Sequence, residues 1–263
     1  MAGINTVYEN FYLSQEIEDQ YNSHLDLQQF CTVDNTLTGV AGMKRKINRY
    51  IATDATERLG LGEGNTKSIS VSFAPAEYEI LMCQNRFDYL DEEAMTDSMI
   101  VPTGTKHMGT DMFNTVNADI FAEFRKATLT VEASAPDFGA FVDAQAKLNL
   151  ENLEGVTVFG WVCPADMAKV RKALKDDLKF VESFSKQGYV GTVGGVHLYT
   201  KKDAVAGEII IATKDAVTLF NKKGTEVEQE RDSNIRKNSI FSRKYYLAAL
   251  TDETKAVKIS FGA

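Results

Sequence analysis

The chain has 263 residues, 44% hydrophobic and 25% charged, the composition of a folded protein long enough for one large domain or two small ones. A formal net charge of −8 argues against attraction of the whole protein to nucleic acid or to an anionic membrane, and leaves local basic patches open. No signal peptide is read at Met1, and no apolar run approaches the ~20 residues of a membrane span. Cys31, Cys83 and Cys163 are odd in number and scattered. They read as reduced thiols in a cytosolic compartment rather than as a disulfide framework or a zinc cluster.

In chain order, residues 1–38 are polar and read as an arm, with a weak helical pattern over 15–29 through Ile17, Tyr21 and Leu25. Residues 39–83 read as a long hairpin. One strand covers 43–52 and the return strand 67–82, where Ser68, Ser70 and Ser72 alternate with Ile69, Val71 and Phe73. A glycine-punctuated tip at 53–65 joins them. A two-stranded ribbon this long has too little core to stand alone in water. It lies either on a neighbouring subunit or within a larger sheet of its own chain.

Residues 110–126 predict an amphipathic helix with Phe113, Val116, Ile120 and Phe124 on one stripe and Phe121 beside it. Asp137 reads as the N-cap of a helix over 138–149 with Phe141, Val142 and Leu148 inward. A buried strand follows at 156–162, then a helix opened by Pro164 and running to about 175, with Met167, Val170 and Leu174 inward. Strands are expected over 188–200, interrupted at Gly194-Gly195, and again at 208–212 and 217–222. Segments 222–231, 240–250 and 255–261 read as strands that return beside the long helix.

Between Lys222 and Lys244 the chain carries 7 basic and 4 acidic side chains. Thr225, Val227 and Gln229 fall on one face and Glu226, Glu228 and Glu230 on the other. Such a row is either an ordinary solvated strand or a surface that meets a complementary copy of itself.

Chemistry is hard to find. Gly60-Leu-Gly-Glu-Gly64 lacks the third glycine of a dinucleotide fingerprint and precedes a strand, not a helix. The chain has no Gly-Lys pair for a phosphate loop and no G-x-S-x-G elbow. His24, His107 and His197 have no metal-ligand spacing. Asp88, Asp91, Glu92, Glu93 and Asp97 form an acidic cluster, which reads as a solvated turn, half of an intersubunit ion-pair set, or a site for a hard cation. No catalytic residue, cofactor or metal site is expected.

The order of these parts, together with Leu37-Thr-Gly-Val-Ala-Gly-Met-Lys-Arg-Lys-Ile-Asn-Arg-Tyr50, Leu61-Gly-Glu-Gly-Asn-Thr66, Lys169-Val-Arg-Lys-Ala-Leu174, Gly188-Tyr-Val-Gly-Thr-Val193 and Asn221-Lys-Lys-Gly-Thr-Glu-Val-Glu-Gln-Glu-Arg-Asp232, resembles the HK97-fold major capsid proteins of tailed bacteriophages, in particular those of Gram-positive hosts. The resemblance covers nearly the whole chain. It implies an α+β fold with an N-terminal arm (1–38), an extended hairpin or E-loop (39–83), and a P domain (84–132 and 221–263) with a spine helix at 109–127. The α/β A domain would be 133–220.

What the resemblance implies for function is structural and not enzymatic: self-assembly into hexamers and pentamers of an icosahedral shell around double-stranded DNA. Its place would be the virion, assembled in the host bacterial cytoplasm. Its partners would be itself, a separate scaffolding protein, a portal, and DNA held non-specifically. A separate scaffold is expected because no long helical scaffolding segment opens the chain. Lys44, Lys46, Arg49, Arg58, Glu63, Arg86, Glu92, Glu93, Glu228, Glu230, Arg231, Arg236 and Arg243 are the intersubunit contact candidates. Lys44, Lys46 and Lys67 are placed for the family's covalent cross-link by location alone, and no cross-link is expected. An encapsulin-type shell and a soluble α/β enzyme are the competing readings.

Overall fold

The computed structural model describes residues 26–53, 55–150, 156–173 and 189–262. Three sheets and four α-helices organise them. A four-stranded sheet has the order β1 (Thr32–Asp34), β10 (Val217–Asp232), β11 (Lys237–Leu250), β4 (Leu81–Leu90). A six-stranded sheet has the order β5 (Leu129–Ala133), β12 (Ala256–Phe261), β9 (Glu208–Thr213), β6 (Val158–Val162), β8 (Val196–Thr200), β7 (Tyr189–Val193). A two-stranded ribbon pairs β2 (Lys44–Ala52) with β3 (Val71–Glu79). The helices are α1 (Asp91–Thr96), α2 (Ile100–Phe124), α3 (Phe138–Leu148) and α4 (Pro164–Ala173). No helix among the described residues is long and apolar enough to cross a membrane.

Helix α2 is 25 residues long and starts ten residues before the expected 110. Pro102, Gly104 and Gly109 hide its first turns from a propensity reading. Pro102 lies in the first turn, where its missing N–H removes no intrahelical bond. Gly104 is there for space: a Cβ would sit 2.4 Å from the Phe87 ring. Met108, Met112, Val116, Ile120 and Phe124 form the buried stripe, with Phe121 beside it, while Phe113 is only half-buried.

The core runs on both faces of the six-stranded sheet. Phe141 on α3 and Val170 on α4 cover Ile209 and Ile211. On the other face Phe30, Phe121 and Phe124 surround Trp161, which is fully buried, with ring centroids 4.7 Å from Phe124 and 5.8 Å from Phe30. Asp137 caps α3 as expected, its Oδ1 accepting the Ala140 N–H at 2.9 Å. Val142 faces solvent instead of the core, and Ala140 and Ala144 take the inward positions. Gly194 and Gly195 both have positive φ (53° and 86°) in the turn between β7 and β8, the backbone a tight I′ hairpin demands.

Five further expectations meet a different outcome. Over 26–38 the chain is not an arm: Leu27, Phe30 and Cys31 are core, and β1 pairs in parallel with β10; the rest of the arm reading lies outside the described residues. The helical pattern over 15–29 lies mostly outside the described residues, and Leu27–Phe30 is a 3-10 turn. The hairpin's return strand is divided at Ile80. Residues through Glu79 pair with β2, and β4 leaves to pair with β11. Segments 217–222 and 222–231 are one 16-residue strand, and β12 joins β5 and β9 in the six-stranded sheet instead of returning beside α2.

Candidate assembly surface

The ribbon is held at its base and bare at its end. Ile47 and Tyr78 pack against Leu37, Ile80, Phe220, Leu247 and Ala249, and the Arg45 guanidinium lies 5.3 Å over the Phe220 ring. Among the described residues the two strands pair only with each other, from Lys44↔Glu79 to Ala52↔Val71. Lys44–Glu79 (3.1 Å) and Lys46–Glu77 (3.8 Å) are cross-strand ion pairs with more than half of each side chain exposed. Each is worth about 0–1 kcal/mol, so they fix register more than they hold the ribbon. Arg49 stands opposite Ala74 in that register.

The tip is tied by its own polar groups. Glu57 accepts the Thr66 N–H (2.8 Å) and hydroxyl (2.7 Å), and these bonds hold its carboxyl below the usual range. Glu63 accepts the Gly60 N–H at 2.9 Å. Arg58 is exposed, with no carboxylate partner among the described residues. Around these groups Leu59, Leu61, Ile69 and Val71 are exposed, Leu61 completely. The contact candidates named from the sequence at this tip, Arg58 and Glu63, are charges and do not include these four apolar residues. Their signal was present in the alternation of Ile69 and Val71 with serine.

The charged strand is different: most of its candidates are engaged within the subunit. Arg243 pairs with Glu228, Arg231 with Asp91 at 2.6 Å and Arg236 with Glu92 at 2.6 Å. Arg86 bonds Asp88 at 2.6 Å and lies 5.4 Å over the Phe241 ring. Lys237 reaches the same carboxylate at 2.9 Å. Burial opposes the charge on Asp88, but bonds from Arg86, Ser239 and Lys237 outweigh it and hold the carboxyl at about 2. These pairs join β4, β10, β11 and α1, so they set register inside one subunit. Glu230 is exposed, without a cation partner among the described residues.

Glu93 is a correction. It is 5% exposed, and its Oε2 accepts the Leu90 N–H at the start of α1, so its role lies in the fold rather than at a contact surface. The acidic cluster is likewise consumed locally. Asp91 also accepts from Asn238 at 2.6 Å, and Asp97 accepts the Met99 N–H at 2.8 Å. No three His, Cys, Asp or Glu among the described residues are grouped to hold a metal ion.

Two buried titratable groups, Cys31 and Tyr246, are shifted away from reactivity. Burial pushes the Cys31 thiol up to about 11, far from the thiolate a nucleophile needs. Burial and the bond to Asp119 raise the Tyr246 phenol well above its ordinary range.

No family model matches the sequence. The major capsid protein of Staphylococcus phage phiMR11 is 26% identical over 257 residues, 95% of this chain and 92% of that protein. Among solved structures, the capsid of a native GTA particle superposes with a TM-score of 0.68 at 15% identity, covering 92% of this chain and 91% of that one. The capsid of cyanophage P-SCSP1u gives 0.67 at 14% identity, covering 89% and 86%. These superpositions establish a shared fold.

Proposed function

We infer that this chain is an HK97-type major capsid protein of a tailed bacteriophage. It is a structural subunit, not an enzyme, and its place is the shell of the virion. The ribbon is the observation that carries the reading. It is a two-stranded sheet with apolar side chains on an unsupported end, and such a sheet is stabilised only by a further surface. Many copies supply that surface to one another, so assembly and ordering of the ribbon are linked.

In this reading β2–β3 and the tip are the E-loop, α2 is the spine helix, and the six-stranded sheet with α3 and α4 is the core of the A domain. Hexamers and pentamers close an icosahedral shell, which is filled with double-stranded DNA through a portal. The net charge of −8 keeps DNA contact loose and local. An encapsulin-type compartment would share the fold, but the sequence relative is a phage protein. Nuclease-protected DNA in particles purified from infected cells separates the two.

The test is deletion of residues 53–65. The subunit remains folded, and closed shells are lost in negative-stain electron microscopy. Normal shells from the deletion would remove the hairpin from the mechanism. A wild-type chain that builds no particle, alone or with phage assembly proteins, would remove the shell reading altogether.

A further inference from the structure

β4 is an edge of the four-stranded sheet, and among the described residues no strand pairs with its outer side. Its ten residues pair with β11 in one unbroken register, from Leu81↔Tyr246 to Leu90↔Lys237. It has no proline and no bulge to blunt it. The opposite edge differs: β1 covers β10 from Thr218 to Phe220, and register shifts interrupt β10 between Asn221 and Glu226. The chain after β4 leaves the edge clear. Asp91, at the start of α1, bonds Asn238 on β11 and Arg231 on β10, so the turn runs toward the middle of the sheet. α2 then returns along one face, beside Phe87 and Asn85. An uncovered row of backbone N–H and C=O groups is a template for an added strand.

The side chains of this edge complement themselves. Two copies of β4 set antiparallel about Phe87 place Arg86 of each opposite Asp88 of the other, and Asn85 opposite Tyr89. Registers centred one residue to either side put Arg86 against Arg86 or Asp88 against Asp88, and like charges facing each other across a ladder are destabilising. Arg86 has donors to spare: within the subunit its Nε serves Asp88 and its Nη2 serves Ser239, and a guanidinium carries five N–H groups. Apolar side chains are exposed at both ends of the strand. Leu81 is 65% and Met82 49% exposed at its start, and Met95 is 84% exposed just past its end. An antiparallel pair brings the first end of one copy beside the second end of the other, so the two exposed patches face each other.

We propose that β4 pairs antiparallel with β4 of a second copy about a two-fold axis at Phe87, joining two four-stranded sheets edge to edge. The contact is isologous, with the same patch on both copies, whereas the contacts within a ring of subunits are heterologous. It rests on the shell reading above and adds a two-fold link between one ring and the next.

The experiment uses full-length subunits in an assembly reaction that gives wild-type particles. Arg86→Asp makes both central charges of the edge negative, and Asp88→Arg makes both positive. Each variant alone should lower particle yield in sedimentation by about an order of magnitude or more, because like charges then meet across the axis. The two variants mixed in equal amounts should recover the yield several-fold, since each finds its complement in the other. Wild-type yield from either variant alone, or no recovery from the mixture when thermal melts show both folded, overturns the proposal and leaves the shell reading standing.

A second measurement covers the case of misfolding. Met82 and Glu92 are both exposed, and the Phe87-centred register sets each beside the other in the second copy. Particles co-assembled from Met82→Cys and Glu92→Cys subunits are treated with a short bis-maleimide and compared with particles of either variant alone. Dimers in excess in the mixture support the contact, because same-site pairs lie at opposite ends of the ladder. No excess refutes it. The same mixture is repeated with residues 1–25 deleted, and an excess that appears only then would mean that the chain's own N-terminal segment occupies the edge, and would also refute it.

Discussion

The six-stranded sheet and the ribbon are built from similar strand-forming residues, yet they end in opposite states. In the sheet, Ile209, Ile210 and Ile211 on β9 are all buried because helices cover one face and Phe30, Phe121 and Phe124 the other. In the ribbon, Ile69 and Val71 near the tip are exposed although their sequence alternation is cleaner. Strand propensity is therefore the smaller term, and layering decides what a strand contributes. The buried apolar packing lies in the first region, and exposed apolar side chains lie in the second.

The sharpest way to break that contrast is Trp161→Ala. Emptying a fully buried ring site next to Phe124 should cost about 3–5 kcal/mol, seen as a large fall in the thermal midpoint of the free subunit. Gly104→Ala should come next, at about 1–3 kcal/mol, because the new methyl meets the Phe87 ring at 2.4 Å. Denaturant unfolding measures it. Asp137→Ala removes the cap of α3 and should cost about 1 kcal/mol in the same assay.

Acid should act through Asp88. Its folded value of about 2 lies below the ordinary 3.8, so its contribution is full above about pH 4 and is lost as pH falls toward 2. A pH series of melts should show that limb, and Asp88→Asn should flatten it. The smallest effect belongs to the ribbon. Lys46→Ala should change free-subunit stability by less than about 0.5 kcal/mol, since its pair with Glu77 is long and exposed. A loss of several kcal/mol there would show that the ribbon supports the body, and would erase the distinction between the two regions.

The sequence carried the capped and punctuated elements well. Asp137, Pro164 and the Gly194-Gly195 turn act locally, and each marks its element in the structure. The contact candidates were less legible. Glu228 with Arg243 is joined by strand register, and Arg231 with Asp91 and Arg236 with Glu92 by the place where α1 follows β4, and neither is written in composition. A charge expected to meet another subunit can satisfy its partner across a ladder at home. Glu93 disappeared into a helix start for the same reason, once β4 ended at Leu90 and the chain turned into α1.

Alternation, caps, glycines and the order of the segments were enough to expect a long hairpin, a long helix and a mixed helix-and-strand unit after it. Those signals depend on neighbours within a few residues. Only the tertiary structure decided that α2 begins at Ile100, that β12 lies with β5 and β9, that Leu27 and Phe30 belong to the core, and that β1 covers β10 only from Thr218 to Phe220. Each of these is settled by contacts between residues far apart in the chain, whose free energy of burial outweighs the local preference of any one segment.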